Sequence, residues 1–138
     1  MRKLITTDIQ LHKLCLDLSK EEYISIDTEF NRDKTYFAKL CLIQIGCSFG
    51  EFIIDIIDDK IKNFDQLFDL LNNEKILKII HAGDQDLHIL YRLTGKILKP
   101  IFDTQIAAKI FGMGFSESYA NLVKNLLGIS LDKTLQYT

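Results

Sequence analysis

The stretch Ile24-Ser25-Ile26-Asp27-Thr28-Glu29-Phe30 decides the fold of this 138-residue chain. Apolar and polar residues alternate through it, the period of a β-strand whose successive side chains point to opposite faces. Residues 23–30 therefore read as a strand with Ile24, Ile26 and Thr28 on one face and Ser25, Asp27 and Glu29 on the other. Side chains two residues apart in a strand lie roughly 6–7 Å from each other, so Asp27 and Glu29 project together from an apolar segment. Two carboxylates that close repel, and burying them unpaired is costly. A hard divalent cation relieves both penalties, and oxygen ligands suit Mg2+ or Mn2+. The same pattern arises on the solvent face of an edge strand, where two acids have no special role. The strand's place in the sheet separates the two readings.

Outward from that strand, residues 39–47 and 51–57 are rich in β-branched side chains and are joined by Ser48-Phe49-Gly50, a hairpin signal. Residues 75–81 read as a short buried strand, and Ile101-Phe102 as a fifth. Helical periodicity links Leu11, Leu14, Cys15 and Leu18 behind a capping Asp8, and Phe64, Leu67, Phe68 and Leu71 before Asn72-Asn73. Leu87, Leu90 and Tyr91 mark a third helix. A fourth, capped by Asp103, carries Ile106 and Ile110. Tyr119, Leu122, Val123 and Leu126 mark a last one that stops at Gly128. The order α-β-β-β-α-β-α-β-α-α predicts an α/β fold. Three antiparallel strands and then two parallel ones, reached through helical crossovers, form a mixed five-stranded sheet flanked by helices.

Composition narrows the function classes. At 47% hydrophobic and 26% charged, with seven Gly and one Pro, the chain has the apolar mass of one folded domain rather than a disordered or collagen-like one. Apolar runs are too short to span a bilayer, and the N-terminal residues lack the apolar core of a secretory signal. The 17 basic residues against 19 acidic ones argue against a passive nucleic-acid coat. They do not weigh against an enzyme that meets its substrate through bound cations. Cys15, Cys41 and Cys47 fit neither a disulfide frame nor a zinc site, and reduced, buried thiols in a cytoplasmic protein are expected.

A second informative segment is His81-Ala82-Gly83-Asp84-Gln85-Asp86-Leu87-His88, at the C-terminal end of a buried strand, where open α/β sheets place their ligands. Asp84 and Asp86 fall in the first helical turn, where an acid also complements the helix dipole. His81 and His88 read first as hydrogen-bonded structural residues, with ligand or base as the alternative. Arg32, Lys34 and Lys39 interleave with Phe30, Tyr36 and Phe37 beside the two acids, as on a surface for single-stranded nucleic acid.

Together these segments resemble the ribonuclease D branch of the DEDD 3′–5′ exonucleases, a family with a ribonuclease H-like fold. The resemblance is carried by Ile26-Asp27-Thr28-Glu29-Phe30, then Arg32, Tyr36 and Leu42-Ile43-Gln44. It continues in His81-Ala82-Gly83 with Asp86-Leu87, in Asp103-Thr104-Gln105-Ile106-Ala107-Ala108, and in Gly128 with Leu131-Asp132-Lys133. It implies that Asp27, Glu29 and Asp86 are catalytic and metal-binding acids, converging on two Mg2+ or Mn2+ ions that hydrolyse a phosphodiester at an RNA 3′ end. It further implies that Thr28, Phe30, Arg32, Tyr36, Gln44 and His81 line the substrate. The family's third motif, a Tyr followed four residues later by the fourth acid, falls outside these residues, since Tyr137 is followed only by Thr138. The expectation is therefore one exonuclease domain over 1–138, C-terminally truncated relative to the family and with impaired activity. Three alternatives stand beside it: an inactive nucleic-acid-binding remnant, a DNA exonuclease, or half of a split enzyme whose partner chain supplies Tyr-x-x-x-Asp.

Overall fold

The strand that carries Asp27 and Glu29, β2 (Tyr23–Asn31), lies inside the sheet and not at its edge. The computed structural model describes residues 2–32 and 37–131. β2 is flanked by β3 (Lys39–Cys47), which runs antiparallel to it, and by β5 (Leu77–Ile80), which runs parallel. β4 (Gly50–Asp55) returns antiparallel along β3 after the turn at Ser48-Phe49. β6 (Ile101–Asp103) adds parallel to β5, and β1 (Arg2–Ile5) adds parallel to β4. The order across the sheet is β1-β4-β3-β2-β5-β6.

The mixed α/β sheet thus has the expected meander and parallel crossovers, with six strands where five were predicted. The added strand is β1. Only Ile5 of its four residues is buried, so Arg2-Lys3-Leu4 carries no alternation to betray it. Asp8 does not cap the first helix either. Thr7 is the cap, its side chain accepting from the Gln10 backbone N–H, while the Asp8 carboxylate receives the N–H groups of Lys62 and Asn63.

Three helices, α1 (Asp8–Leu18), α2 (Asp65–Leu71) and α3 (Asp84–Thr94), share one core with the sheet. Leu11, Leu18, Leu67, Leu71 and Leu90 meet Ile24, Ile26, Ile43 and Ile54 there, all buried. Each such side chain contributes about 1.5–3 kcal/mol on leaving water. Lys78 is the exception among these residues. It is fully buried on β5, and its ammonium donates to the carbonyls of Asn73 and Lys99, fixing the two connections that flank that strand.

The remaining helices, α4 (Thr104–Ile110) and α5 (Tyr119–Leu127), behave differently from their sequence pattern. Ile106, Ile110, Tyr119 and Leu126 are exposed, and only Ala108 and Leu122 are buried. Of the residues that mark α3, Leu90 is buried together with Ile89, whereas Tyr91 is exposed. Apolar spacing marks a face, but whether that face is covered depends on the layer beyond it. Gly128 ends α5 in the left-handed conformation as expected, at φ 70°. Of the thiols, Cys15 is buried, and burial pushes it up to about 11. Cys41 and Cys47 are only half-buried, contrary to the expectation for them. All three are free.

Candidate active site

β2 is paired with β5 only through Tyr23, Ile24 and Ser25. Its second half, with Asp27, Thr28 and Glu29, runs on past the end of β5, where the chain turns through His81-Ala82-Gly83 into α3. The acids therefore stand at the carboxyl end of a parallel strand, beside a helix start. The alternation holds: Ile24, Ile26 and Thr28 are buried, whereas Ser25, Asp27 and Glu29 are exposed. An internal strand with an open polar face is a different object from an edge strand, because both its neighbours constrain where the carboxylates point.

The turn is built to hold α3 in place. Ala82 takes a left-handed conformation at φ 54°, which costs a residue with a Cβ about 1–2 kcal/mol. The Asp103 carboxylate accepts from the backbone N–H groups of Ala82 at 3.1 Å and Gly83 at 3.0 Å, and from Gln105 and Ile106 as the cap of α4. Burial pushes the Asp103 carboxyl up, but the Gly83, Gln105, Ala82 and Ile106 donors outweigh it and hold the group below the usual carboxylate range. Gly83 is required on steric grounds, since a Cβ there would run into Cδ1 of Ile80.

Asp86, in the first turn of α3, is reached by Thr28: the threonine hydroxyl donates to Asp86 Oδ1. The DTE stretch thus sends its middle residue to the third acid. Asp27 remains solvent-accessible, yet partial desolvation, then the Asp86 and Glu29 charges, push its carboxyl above the usual range. The Thr28 backbone N–H and His81 oppose that shift. Asp27 therefore senses both other acids. Among the described residues, no three His, Cys, Asp or Glu side chains stand ready-made as a metal cage. Thr28 itself belongs to the face of β2 opposite to the one that carries Asp27 and Glu29. By chemistry the set suits a hard divalent ion, being all oxygen and mutually repulsive.

Gln44 lies directly across from Asp27 on β3. His81, Ser25 and Tyr119 join Asp27 and Gln44 in lining a cleft of about 630 Å³ over the sheet. His81 Nδ1 is 2.8 Å from Thr104 Oγ1, whose hydroxyl donates to the Ile80 carbonyl at 3.1 Å. That leaves Thr104 to accept from Nδ1–H, so Nε2 is the His81 ring nitrogen not engaged by Thr104. The His81 ring meets Tyr119 edge-on at 5.5 Å. The register against β3 shifts between Glu29 and Phe30, skipping Cys41, and Phe30 is half-buried with the Arg32 guanidinium 5.3 Å from its ring centre. Tyr36, also expected at the substrate, lies outside the described residues, as does Lys34. Sequence reasoning missed the work of Thr104 and the second task of Asp103, because both act through contacts twenty or more positions away.

Residues 3–138 match the 3′–5′ exonuclease family. The chain belongs to that family. Among its members, ribonuclease D of Sphingobium indicum is 45% identical over 138 residues, covering 98% of this chain and 35% of the relative. Ribonuclease D of Zymomonas mobilis is 47% identical over 136 residues, with the same two shares. Among solved structures, Escherichia coli RNase D, described as an exoribonuclease involved in structured RNA processing, superposes with a TM-score of 0.92 at 34% identity. That match covers 100% of this chain and 36% of the other. The exonuclease-family chain thus spans about a third of the length of the relatives it matches. Among the described residues no helix is long and apolar enough to cross a membrane.

Proposed function

We propose that this chain carries the nuclease site of a ribonuclease D-like 3′–5′ exoribonuclease, a hydrolase that removes nucleotides from RNA 3′ ends. The observation that carries the reading is the placement of Asp27 and Glu29 on an internal strand, with Asp86 held beside it through Thr28. Asp27, Glu29 and Asp86 would hold the divalent ions, Mg2+ or Mn2+. Such ions, when bound, supply an activated water and charge stabilisation at the departing 3′-oxygen. The chain's own groups do the rest. Thr28 orients Asp86, Gln44 stands across from Asp27, and His81 offers Nε2 to a polar group of the terminal nucleotide. Phe30, backed by Arg32, gives the terminal base a surface to stack on. A cytoplasmic setting fits the free thiols.

The test is a shortening assay on 5′-labelled single-stranded RNA and DNA with Mg2+ or Mn2+, comparing the chain with Asp27→Ala. RNA shortened from its 3′ end only in the presence of metal, and lost in the variant, is the expected result. Shortening that survives Asp27→Ala overturns the site assignment. Preferential shortening of DNA moves the reading to a DNA exonuclease. RNA bound without any shortening, with or without an added segment bearing Tyr-x-x-x-Asp, leaves a nucleic-acid-binding remnant.

A further inference from the structure

We propose that the exposed face of α3, together with Phe30, Arg32 and Phe37, is a track for the phosphate backbone of a single-stranded polynucleotide leading away from the Asp27 cleft. This rests on the exonuclease reading and adds to it the route of the strand upstream of the cleaved end.

Two arginines stand out by their surroundings. Arg32 lies over Phe30 and donates to Oε1 of Gln85 at 3.3 Å, which ties it to the start of α3. Arg92, two turns further along the same helix, lies 3.4 Å above the ring centre of Phe37. Gln85, His88 and Arg92 follow at i, i+3 and i+7, so they share one face of α3, and all three are exposed. From Gln85 to Arg92 the face runs about 10 Å along the helix axis. The ion pairs among the described residues use Arg2 and four lysines, and neither Arg32 nor Arg92 joins one.

A guanidinium laid on an aromatic ring is held in position while its edge N–H donors stay available. Planar donors of that kind match phosphate oxygens. Half-exposed rings beside them offer stacking to bases of any sequence. The acids at Asp27, Glu29 and Asp86 repel phosphate, so cations set apart from the cleft are where a polyanion gains its grip. An acidic peptide would be met by the same charges but would find no use for the paired rings, which favours a polynucleotide.

The experiment measures equilibrium binding without divalent metal, across a range of salt, for a single-stranded RNA about a dozen nucleotides long, DNA of the same sequence, and a dinucleotide. Arg92→Ala is expected to weaken binding of the long RNA about fivefold and to lower the slope of log affinity against log salt by about 0.7, the share of one single-strand phosphate contact. The dinucleotide, too short to reach Arg92, should lose far less. The long DNA should show the same slope change, since phosphates and not 2′-hydroxyls are gripped. Arg92→Lys should keep the slope while losing part of the affinity, because lysine retains the charge without the stacked plane. Lys13→Ala on α1 serves as the charge control and should leave the slope intact. The track is overturned by an unchanged slope in Arg92→Ala, by an equal loss for the dinucleotide, by a change confined to RNA, or by a native chain that does not bind the long RNA. A fall in Tm with the slope preserved assigns Arg92 and Phe37 to a structural staple instead, which also overturns it. Salt-dependent binding with no metal-dependent shortening would sink the exonuclease reading and leave the track standing. Shortening with an unaltered Arg92→Ala slope does the reverse.

Discussion

The two faces of β2 are made by alternate residues of one strand and have opposite physics. Ile24, Ile26 and Thr28 face the core shared with α1, α2 and α3 and are nearly removed from water. Ser25, Asp27 and Glu29 share the exposed face, Ser25 and Asp27 lining the cleft, and partial desolvation, then the Asp86 and Glu29 charges, raise the Asp27 carboxyl above its ordinary range. The inner face stabilises the fold by apolar burial, while the outer face costs stability by crowding like charges. A strand of this kind separates folding from chemistry at single-residue resolution. Thr28 is the one inner residue that serves both sides, being buried and hydrogen-bonded to Asp86.

The sharpest way to break that comparison is a crossed pair of substitutions. Asp27→Asn should lower metal-dependent shortening of RNA at least about a thousandfold, a barrier change near 4 kcal/mol, while the unfolding midpoint holds or rises. Ile24→Ala should do the opposite, costing about 2–5 kcal/mol of stability by urea titration and leaving the rate per folded molecule nearly intact. If both variants lose activity and stability in parallel, the two faces are not separable. Next in size is Gly83→Ala, which must displace either Ile80 or the start of α3. It is expected to cost about 1–3 kcal/mol and to lower activity with it, since Asp86 rides on that helix. Thr28→Val keeps the shape and removes the hydroxyl. Activity should fall about tenfold, near 1.4 kcal/mol, with Tm little changed. A Tm loss as large as that of Ile24→Ala would make Thr28 a core residue only.

The smallest effect concerns protons. Because the folded Asp27 carboxyl is raised above its unfolded value of about 3.9, the native state holds more protons than the unfolded one between the two values. The slope of stability with pH is then negative, so this group's contribution is present at low pH and lost as pH rises through that window. Asp103 runs the other way. Its lowered carboxyl adds stability above the unfolded value, and that is lost as pH falls through the folded one. Urea titrations from about pH 3 to pH 7 should show Asp27→Asn flattening the first trend alone. Added Mg2+ should raise the midpoint of the native chain near neutrality and not that of Asp27→Asn.

Much of this was legible in the sequence because it is local. Alternation at residues 23–30 placed the two acids on one face, Ser48-Phe49 set the hairpin, and Gly128 and Asp103 marked helix ends correctly. What stayed hidden depends on partners far along the chain. β1 is visible only once β4 is beside it, and Asp8 was misread as a cap because its real partners are Lys62 and Asn63. Nothing in the pattern of α5 says that Tyr119 and Leu126 remain exposed, since spacing defines an apolar face without defining its cover. The Thr28–Asp86 bond, which aims the third acid, spans 58 positions and leaves no trace in either segment.

The sheet's mixed topology has a consequence in time. The β2-β3-β4 meander joins neighbours in sequence, so its contacts close short loops and should form quickly. β5 and β6 arrive through helices and close longer ones. Asp27 and Glu29 belong to the first unit and Asp86 to the second, with the short parallel pairing at Tyr23, Ile24 and Ser25 between them. The site therefore straddles a seam between fast and slow parts of the molecule. A fluctuation that opened that seam would take Asp86 away from the other two acids while the meander stays folded.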